Sequence, residues 1–415
     1  MGHKTAINWS IFAFKVTNKV IVIGGGAAGF FAAIKCKETY PDFEVILVEK
    51  TNKLLSKVKV SGGGRCNVTN ATFSNAQLVK QYPRGTNFLK KAFSQFSTTD
   101  TIAWFKEREV ELVAEEDNRM FPVSNSSQTI VDCLLNTARR LGVEIRKKTI
   151  VSSVNKTQEG FELDCDGEII KAKKVIVAQG GSNKEEAYSW IKVLGHSIEA
   201  PVPSLFTFNM PNESVKELPG VVVKGVQTKI IGTKLSSQGD LLVTHWGMSG
   251  PAILKLSAWG ARELSKMDYN FVVSINWLGE PSEEKVRMLF PQESNKKMIN
   301  QNPFDFPKRF WSYLLNKVEI EEDSNWLSLS KKSKNKLVNV LTNDQYNVKG
   351  KTTFKEEFVT CGGVSLNDID VKTMQSKTCS GLYFCGEVMD IDGITGGFNF
   401  QAAWTTAYIA GHLID

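Results

Sequence analysis

Three glycine-bearing stretches carry most of the chemistry legible in this 415-residue chain. The first is Gly24-x-Gly26-x-x-Gly29, in the run VIVIGGGAAGF. Glycines at this spacing permit a tight turn, close backbone approach to a pyrophosphate, and close packing of helix on strand. The free N–H groups of the helix start favour phosphate. Glu49 stands 20 residues after Gly29, where an acid can bind a ribose 2′-hydroxyl and would repel a 2′-phosphate. FAD or NAD is therefore expected there, and not NADP. The second stretch is SGGGRCNVTN, Ser61 to Asn70. Its small residues and N–H donors suit a cofactor long enough to need a second backbone contact toward a ribityl chain and ring, which favours FAD over NAD. Arg65 is a phosphate or substrate partner. Cys66, with no second cysteine nearby, reads as a packed or flavin-adjacent residue and not a redox thiol.

The third stretch is CGEVMDIDGITGGFNFQAAW, Cys385 to Trp404. Gly386 and Glu387 fall at the C-terminal end of a strand, where open α/β sheets place ligands. Gly396 and Gly397 open a helix whose N-terminus suits the negative charge of a reduced flavin. The carboxylates of Glu387, Asp390 and Asp392 can accept hydrogen bonds from ribityl hydroxyls. Two further side chains are catalytic candidates. His245, in THWGMSGP, sits in a glycine-bearing loop and can exchange a proton with substrate. Arg119, in NRMFP, can hold an anionic substrate group. Each has a structural reading beside it: a loop histidine bonded to backbone, and an ordinary surface arginine.

Positioning these groups requires a parallel sheet. Lys19–Ile23 and Phe43–Lys50 are buried-strand runs flanking a helix from Ala27 to Lys37, a β-α-β unit. A helix over Asn87–Arg108 is expected next, then short strands with EG and DG turns leading to a buried strand at Val175–Ala178. From about Pro201 alternating strands with glycine punctuation predict a β-barrel, and Pro281 to about Asn347 is polar, lysine-rich and helical. The chain then returns to the first domain with strand Gly381–Cys385 and helix Asn399–Ile414. The fold class is α/β: a Rossmann-like FAD/NAD(P)-binding domain (19–195 and 355–415), an inserted β-barrel (196–280 and 345–354) carrying a small helical subdomain (281–344), and an N-terminal tail (1–18).

Composition narrows the class. Apolar residues are 42% and charged residues 23%, an ordinary globular mixture. The 51 Lys+Arg against 44 Asp+Glu give +7, but the lysines are scattered, which argues against a nucleic-acid stripe. Seven cysteines without a CxxC pair, and four histidines without a cluster, argue for reduced thiols in the cytoplasm and no metal. The N-terminal apolar stretch fits neither signal peptide nor membrane span.

Together VIVIGGGAAG, SGGGRCNVTN, RMFPVS, VIVAQGG, THWGMSGPAIL and GLYFCGEVMDIDGITGGFNFQAAWTTAYIAG resemble the BaiN/YhiN-type, aminoacetone oxidase-like flavoproteins, from about Lys19 to the C-terminus. The resemblance implies FAD contacts at Gly24, Gly26, Ala27, Ala28, Gly29, Glu49, Lys50, Gly62, Gly63, Gly64, Arg65, Cys66, Asn67, Val151, Ala178, Gly180, Gly386, Glu387, Gly396, Gly397, Phe398 and Asn399. It also implies that the FAD-binding domain is of two-dinucleotide-binding type and that Thr360–Gly363 returns near the flavin through backbone. Gln179 departs from the threonine that related flavoproteins often show. The expected function is FAD-dependent oxidoreduction of a small molecule, first as NAD(P)H-linked reduction of an enone or ketone. The alternatives are oxidation of small amines and, in another class, binding or modification of RNA. NADH or NADPH would bind transiently, since no second GxGxxG is present.

Overall fold

Val20, Ile21 and Val22 are wholly buried because the strand they form, Lys19–Ile23, is covered on both faces, as central strands of parallel sheets are. It sits in the middle of a five-stranded parallel sheet in the order Leu382–Phe384, Lys174–Val177, Lys19–Ile23, Glu44–Glu49, Glu144–Lys147. Ile21 is in register with Val175 on one side and Ile46 on the other. The computed structural model describes residues 18–279, 282–291, 294–321, 323–353 and 359–415. The tail expected over 1–18 thus lies, apart from Asn18, outside the described residues.

Helix Ala27–Thr39 packs against the C-terminal helix Phe398–Gly411 at close range. A methyl group on Gly411 would meet Lys35 Cβ at 2.7 Å and Ala32 O at 2.9 Å. The last helix therefore closes the domain opened by the first. The helix expected over Asn87–Arg108 is two, Thr86–Ala92 and Thr98–Lys106. The second begins at a capping box in which Ser97 N donates to Asp100 Oδ2 at 2.7 Å, and that local pair outcompetes helix continuation. The meander Val151–Lys156, Phe161–Cys165, Glu168–Ala172 turns at Asp166 and Gly167, both with positive φ.

The second body is a seven-stranded antiparallel sheet that closes on itself. Its edge strands Asp344–Lys349 and Lys351–Thr352 are consecutive in the chain. Gly350, at φ 89°, makes the corner: its N–H donates to Tyr269 O at 2.9 Å and its carbonyl accepts from Asn209 N at 3.1 Å. Helices Glu283–Met288, Lys308–Lys317 and Lys331–Thr342 bury Val286, Phe310, Leu314, Leu337 and Leu341 in the same apolar core as the barrel strands. Two paired antiparallel segments, Ile198–Ser204 and Val359–Val364, carry the chain between the bodies.

Candidate functional site

Neighbouring strands of the parallel sheet end at one cleft of about 730 Å³. Gly24, Lys50, Ala178 and Gly386 follow the strands directly or by one residue, and all four line it. At the first turn Gly24 and Gly29 are fixed by the protein itself. Gly24 has φ 115°, and its Cβ would fall 2.3 Å from Ala178 O; a Cβ on Gly29 would fall 1.8 Å from Gly24 O. Gly26 is different. Its backbone is extended (φ −92°, ψ −170°), and a Cβ there would meet nothing within 4 Å. No packing of the protein demands glycine at this position, and the space beside it is open to the cleft that Gly26 lines. The N–H groups of Ala27, Ala28 and Gly29 have no intrahelical partner, as in any first helical turn, and Ala27 and Ala28 line the cleft. Glu49 braces the turn, Oε2 accepting from Gly25 N (2.9 Å) and Oε1 from Thr51 N (2.8 Å).

In SGGGRCN the chain leaves its helix at Ser61 (ψ 150°) and passes through three left-handed glycines, Gly62, Gly63 and Gly64. Gly62 is pressed by Phe121, whose Cε1 would lie 2.9 Å from a Cβ, whereas Gly63 faces open cleft. Asn67 ties this loop to the last helix: its side-chain oxygen accepts from Gly397 N and its amide nitrogen donates to Thr69 O, both at 2.9 Å. Cys66 is fully buried behind the loop, and burial pushes its thiol up to about 12. It is a neutral packing residue.

Glu387 lines the cleft, accepting from Thr360 N at 2.8 Å and pairing with Lys57 Nζ at 2.7 Å across the opening. Asn399 lines it too, with its amide spent on the backbone of Gly393 (2.8 and 2.9 Å). Asp392 corrects an expectation. Its carboxylate is fully buried and bound by the Arg84 guanidinium and by Ser204 Oγ (2.6 Å), so it is not free for a ribityl hydroxyl. It fastens the loop to the barrel side, where Arg84 also donates to Ala258 O at 2.6 Å.

The structure does not bring His245 to the cleft. It is exposed at the hairpin turn between strands Ser236–Thr244 and Gly247–Ser249. Arg119 does line the cleft, with Glu115 (3.0 Å) and Asp117 (2.6 Å) as partners. Arg65 stands behind it, paired to Glu115 at 2.7 Å and 4.0 Å above the Phe121 ring. Gly64, Val151 and Phe398 lie off the lining, and the Phe398 carbonyl accepts from the buried Tyr82 hydroxyl at 2.6 Å. Lys50, Gly180 and Gly396 are in place, as is Gln179, which donates to Ala187 O at 3.1 Å. The sequence reading missed Lys53 and Lys57, and the barrel wall: Leu205, Thr207, Ser249, Leu254, Thr352 and Thr353. Lys53 and Lys57 follow Glu49 closely enough to be suspected; the barrel residues have no shared spacing.

The pattern of the HI0933-like protein Rossmann domain matches residues 18–413. The chain belongs to this family. It is an FAD-dependent oxidoreductase. Among curated relatives of HI0933-like type, the Escherichia coli K12 ribosomal RNA dihydrouridine synthase is 31% identical over 401 residues, covering 94% of this chain and 96% of that protein. The Clostridium scindens 3-dehydro-bile acid delta(4,6)-reductase is 25% identical, covering 95% and 98%. A solved 3-ketosteroid-delta4-(5alpha)-dehydrogenase from Rhodococcus jostii RHA1 shares the fold at TM-score 0.50 and 13% identity, covering 97% and 99%. No helix among the described residues is long and apolar enough to cross a membrane.

Proposed function

We propose that the protein uses FAD to reduce a carbon–carbon double bond conjugated to a carbonyl, and that the substrate is the uracil ring of a uridine in RNA. The observation that carries the reduction is the make-up of the substrate wall. Ser249, Thr353, Thr395 and Arg119 offer O–H and N–H groups there, between Leu205, Leu254 and Val359. Among the described lining residues the carboxylates are Glu49 and Glu387, both already held by backbone N–H groups, and Glu387 also by Lys57. A neutral ring bearing carbonyls finds donors on this wall. Among the described lining residues an ammonium finds no carboxylate without a partner, which sets the amine-oxidase alternative behind. RNA is favoured over a free enone because the relative at 31% identity is a dihydrouridine synthase, and dihydrouridine is uridine saturated at a bond conjugated to its ring carbonyl.

The residues fit the cofactor. The cradle at Gly26 with the N–H groups of Ala27 and Ala28 would take the pyrophosphate, Glu49 a ribose hydroxyl, and Gly62, Gly63, Gly396 and Gly397 the ring end. Bound and reduced, FAD would supply the hydride equivalent, and the second hydrogen would be taken up as a proton from solvent. Arg119 is the group suited to hold the carbonyl oxygen as negative charge develops on it, and the apolar barrel residues exclude water from the reacting face. The electrons come from NADH or NADPH bound transiently.

The test is to incubate holoenzyme anaerobically with NADH or NADPH and ribosomal RNA from cells deleted for the gene, then analyse nucleosides by mass spectrometry. Dihydrouridine is expected to appear. If a free enone reoxidises the flavin and no dihydrouridine forms, the RNA substrate is lost. If a small amine bleaches the flavin and neither nicotinamide does, the reduction is lost as well.

A further inference from the structure

A second groove, of about 620 Å³, lies on the other side of one cleft wall. Gly85 lines this groove, and a Cβ on it would fall 2.8 Å from the Ile391 side chain, which lines the cleft. The two hollows are thus one side chain apart. The groove is walled by Asn87, Phe88 and Lys91 of helix Thr86–Ala92 and, opposite, by Leu366, Asn367, Ile369, Asp370 and Lys377. Lys91 and Lys377 are exposed, as are Lys90, next to Lys91 in the chain, and Lys372, five residues before Lys377. The lining carboxylate, Asp370, is engaged by Lys372 N at 2.7 Å. Lys377 Nζ rests on Asn367 O at 2.8 Å, and Phe88 is half-buried, offering part of its surface to the groove.

We infer that this groove binds single-stranded RNA next to the uridine held in the cleft. The inference rests on the RNA reading of the cleft. A groove with cations along it and an aromatic face within it is the arrangement that holds a single strand without reading its sequence: lysines contact phosphates and a base stacks on the ring. The side-chain amides of Asn87 and Asn367 add donors and acceptors for a base edge. Closeness to the cleft gives the groove its role: with only the Gly85–Ile391 wall between the two hollows, the nucleotides next to a uridine held in the cleft come within reach of the groove. A free nucleoside substrate would have no use for it.

The measurement is binding of a fluorescein-labelled single-stranded oligouridine to the holoenzyme as a function of salt. Two phosphate contacts removed from a single strand should make the slope of log K against log salt shallower by about 1.4, at roughly 0.7 per contact. Lys91→Gln with Lys377→Gln is expected to show that change. Lys331→Gln with Lys332→Gln, which removes equal charge from an exposed helix start elsewhere, is expected to leave the slope unchanged. Phe88→Leu keeps the apolar packing and should weaken binding about fivefold or more by losing the stack. If Lys377→Gln lowers the melting temperature, Lys91→Gln alone carries the test, with a change of about 0.7. A wild type that binds while the groove variants keep its slope and affinity overturns the groove. A wild type that binds no RNA at low salt overturns the RNA reading itself.

Discussion

Replacing Gly26 by alanine separates what the fold needs from what the cofactor needs. The backbone there is extended and open, so alanine is conformationally free. Loss of glycine's unfolded-state freedom stabilises by about 0.4–1 kcal/mol. Gly26 is also the N-cap of Ala27–Thr39, where alanine is poorer than glycine by roughly 0.5–1 kcal/mol. The two effects oppose each other, and the apoprotein should keep its stability to within about 1 kcal/mol. The holoprotein should not, because the new methyl group occupies the space where a phosphate would approach the helix start. A tenfold loss of FAD affinity, about 1.4 kcal/mol, is the expected minimum. With FAD at a hundred times the wild-type Kd, wild type gains about 2.7 kcal/mol from binding, and a tenfold weaker variant about 1.4 kcal/mol. Urea melts with and without FAD, with flavin fluorescence titration for Kd, measure both. Gly29→Ala is the contrast: its Cβ would stand 1.8 Å from a backbone oxygen, and the apoprotein itself should lose over about 3 kcal/mol. If Gly26→Ala binds FAD within twofold of wild type, the cradle does not hold the pyrophosphate.

Asp392→Ala strips the partner from a largely buried Arg84 and should cost about 3–5 kcal/mol in urea denaturation; a loss under about 1 kcal/mol would contradict its role as a fastener. His196 is buried, with Nδ1 donating to Ile191 O (3.1 Å) and Nε2 accepting from Ser376 Oγ (2.7 Å), and burial lowers its pKa. The unfolded chain takes up the proton first, so the stability it contributes is present above about pH 6.5 and lost as pH falls below that; His196→Gln should flatten that part of a stability–pH curve. Cys66, with its thiol near 12, should resist iodoacetamide in the native protein at mildly alkaline pH, and Cys66→Ala should keep flavin reduction by nicotinamide; loss of reduction with FAD still bound would restore it as a redox thiol.

The glycine turns that line the cleft were legible because they are built locally. A strand, a turn and a helix fix the distance from Gly24 to Glu49, and glycines announce a turn whatever the rest of the chain does. The same locality explains the break between Ala92 and Thr98. The apolar spacing over Asn87–Arg108 suits one helix, but the Ser97–Asp100 pair stops it, and that pair is itself a local signal. Asp392 was misjudged for the opposite reason. Its partners Arg84 and Ser204 come from 308 and 188 residues away in the chain, a separation no spacing rule reaches. A carboxylate between two glycine turns looks like a ligand until its arginine is known.

The barrel wall shows where a sequence signal was present and attached to the wrong residue. THWGMSGP attracted attention through the imidazole of His245. Yet the conformation of the segment is set by its glycines. Gly247 at φ 149° would place a Cβ 2.3 Å from Phe208 O, and Gly250 at φ 90° would place one 2.8 Å from Asp240 O and Leu242 N. Both are forced by backbone of the barrel itself, unlike Gly26, so they serve the fold and not a ligand directly. What they hold in place is the residue between them that reaches the cleft, Ser249, followed at the start of the next helix by Leu254. His245 precedes the first forced glycine and swings out to solvent. The rigid pair fixes the backbone that brings Ser249 to the cleft, and a hydroxyl held there can orient a carbonyl without titrating. On this argument substrate choice resides in residues such as Leu205, Ser249 and Leu254, which can change without disturbing any glycine that shapes the cofactor's half of the cleft.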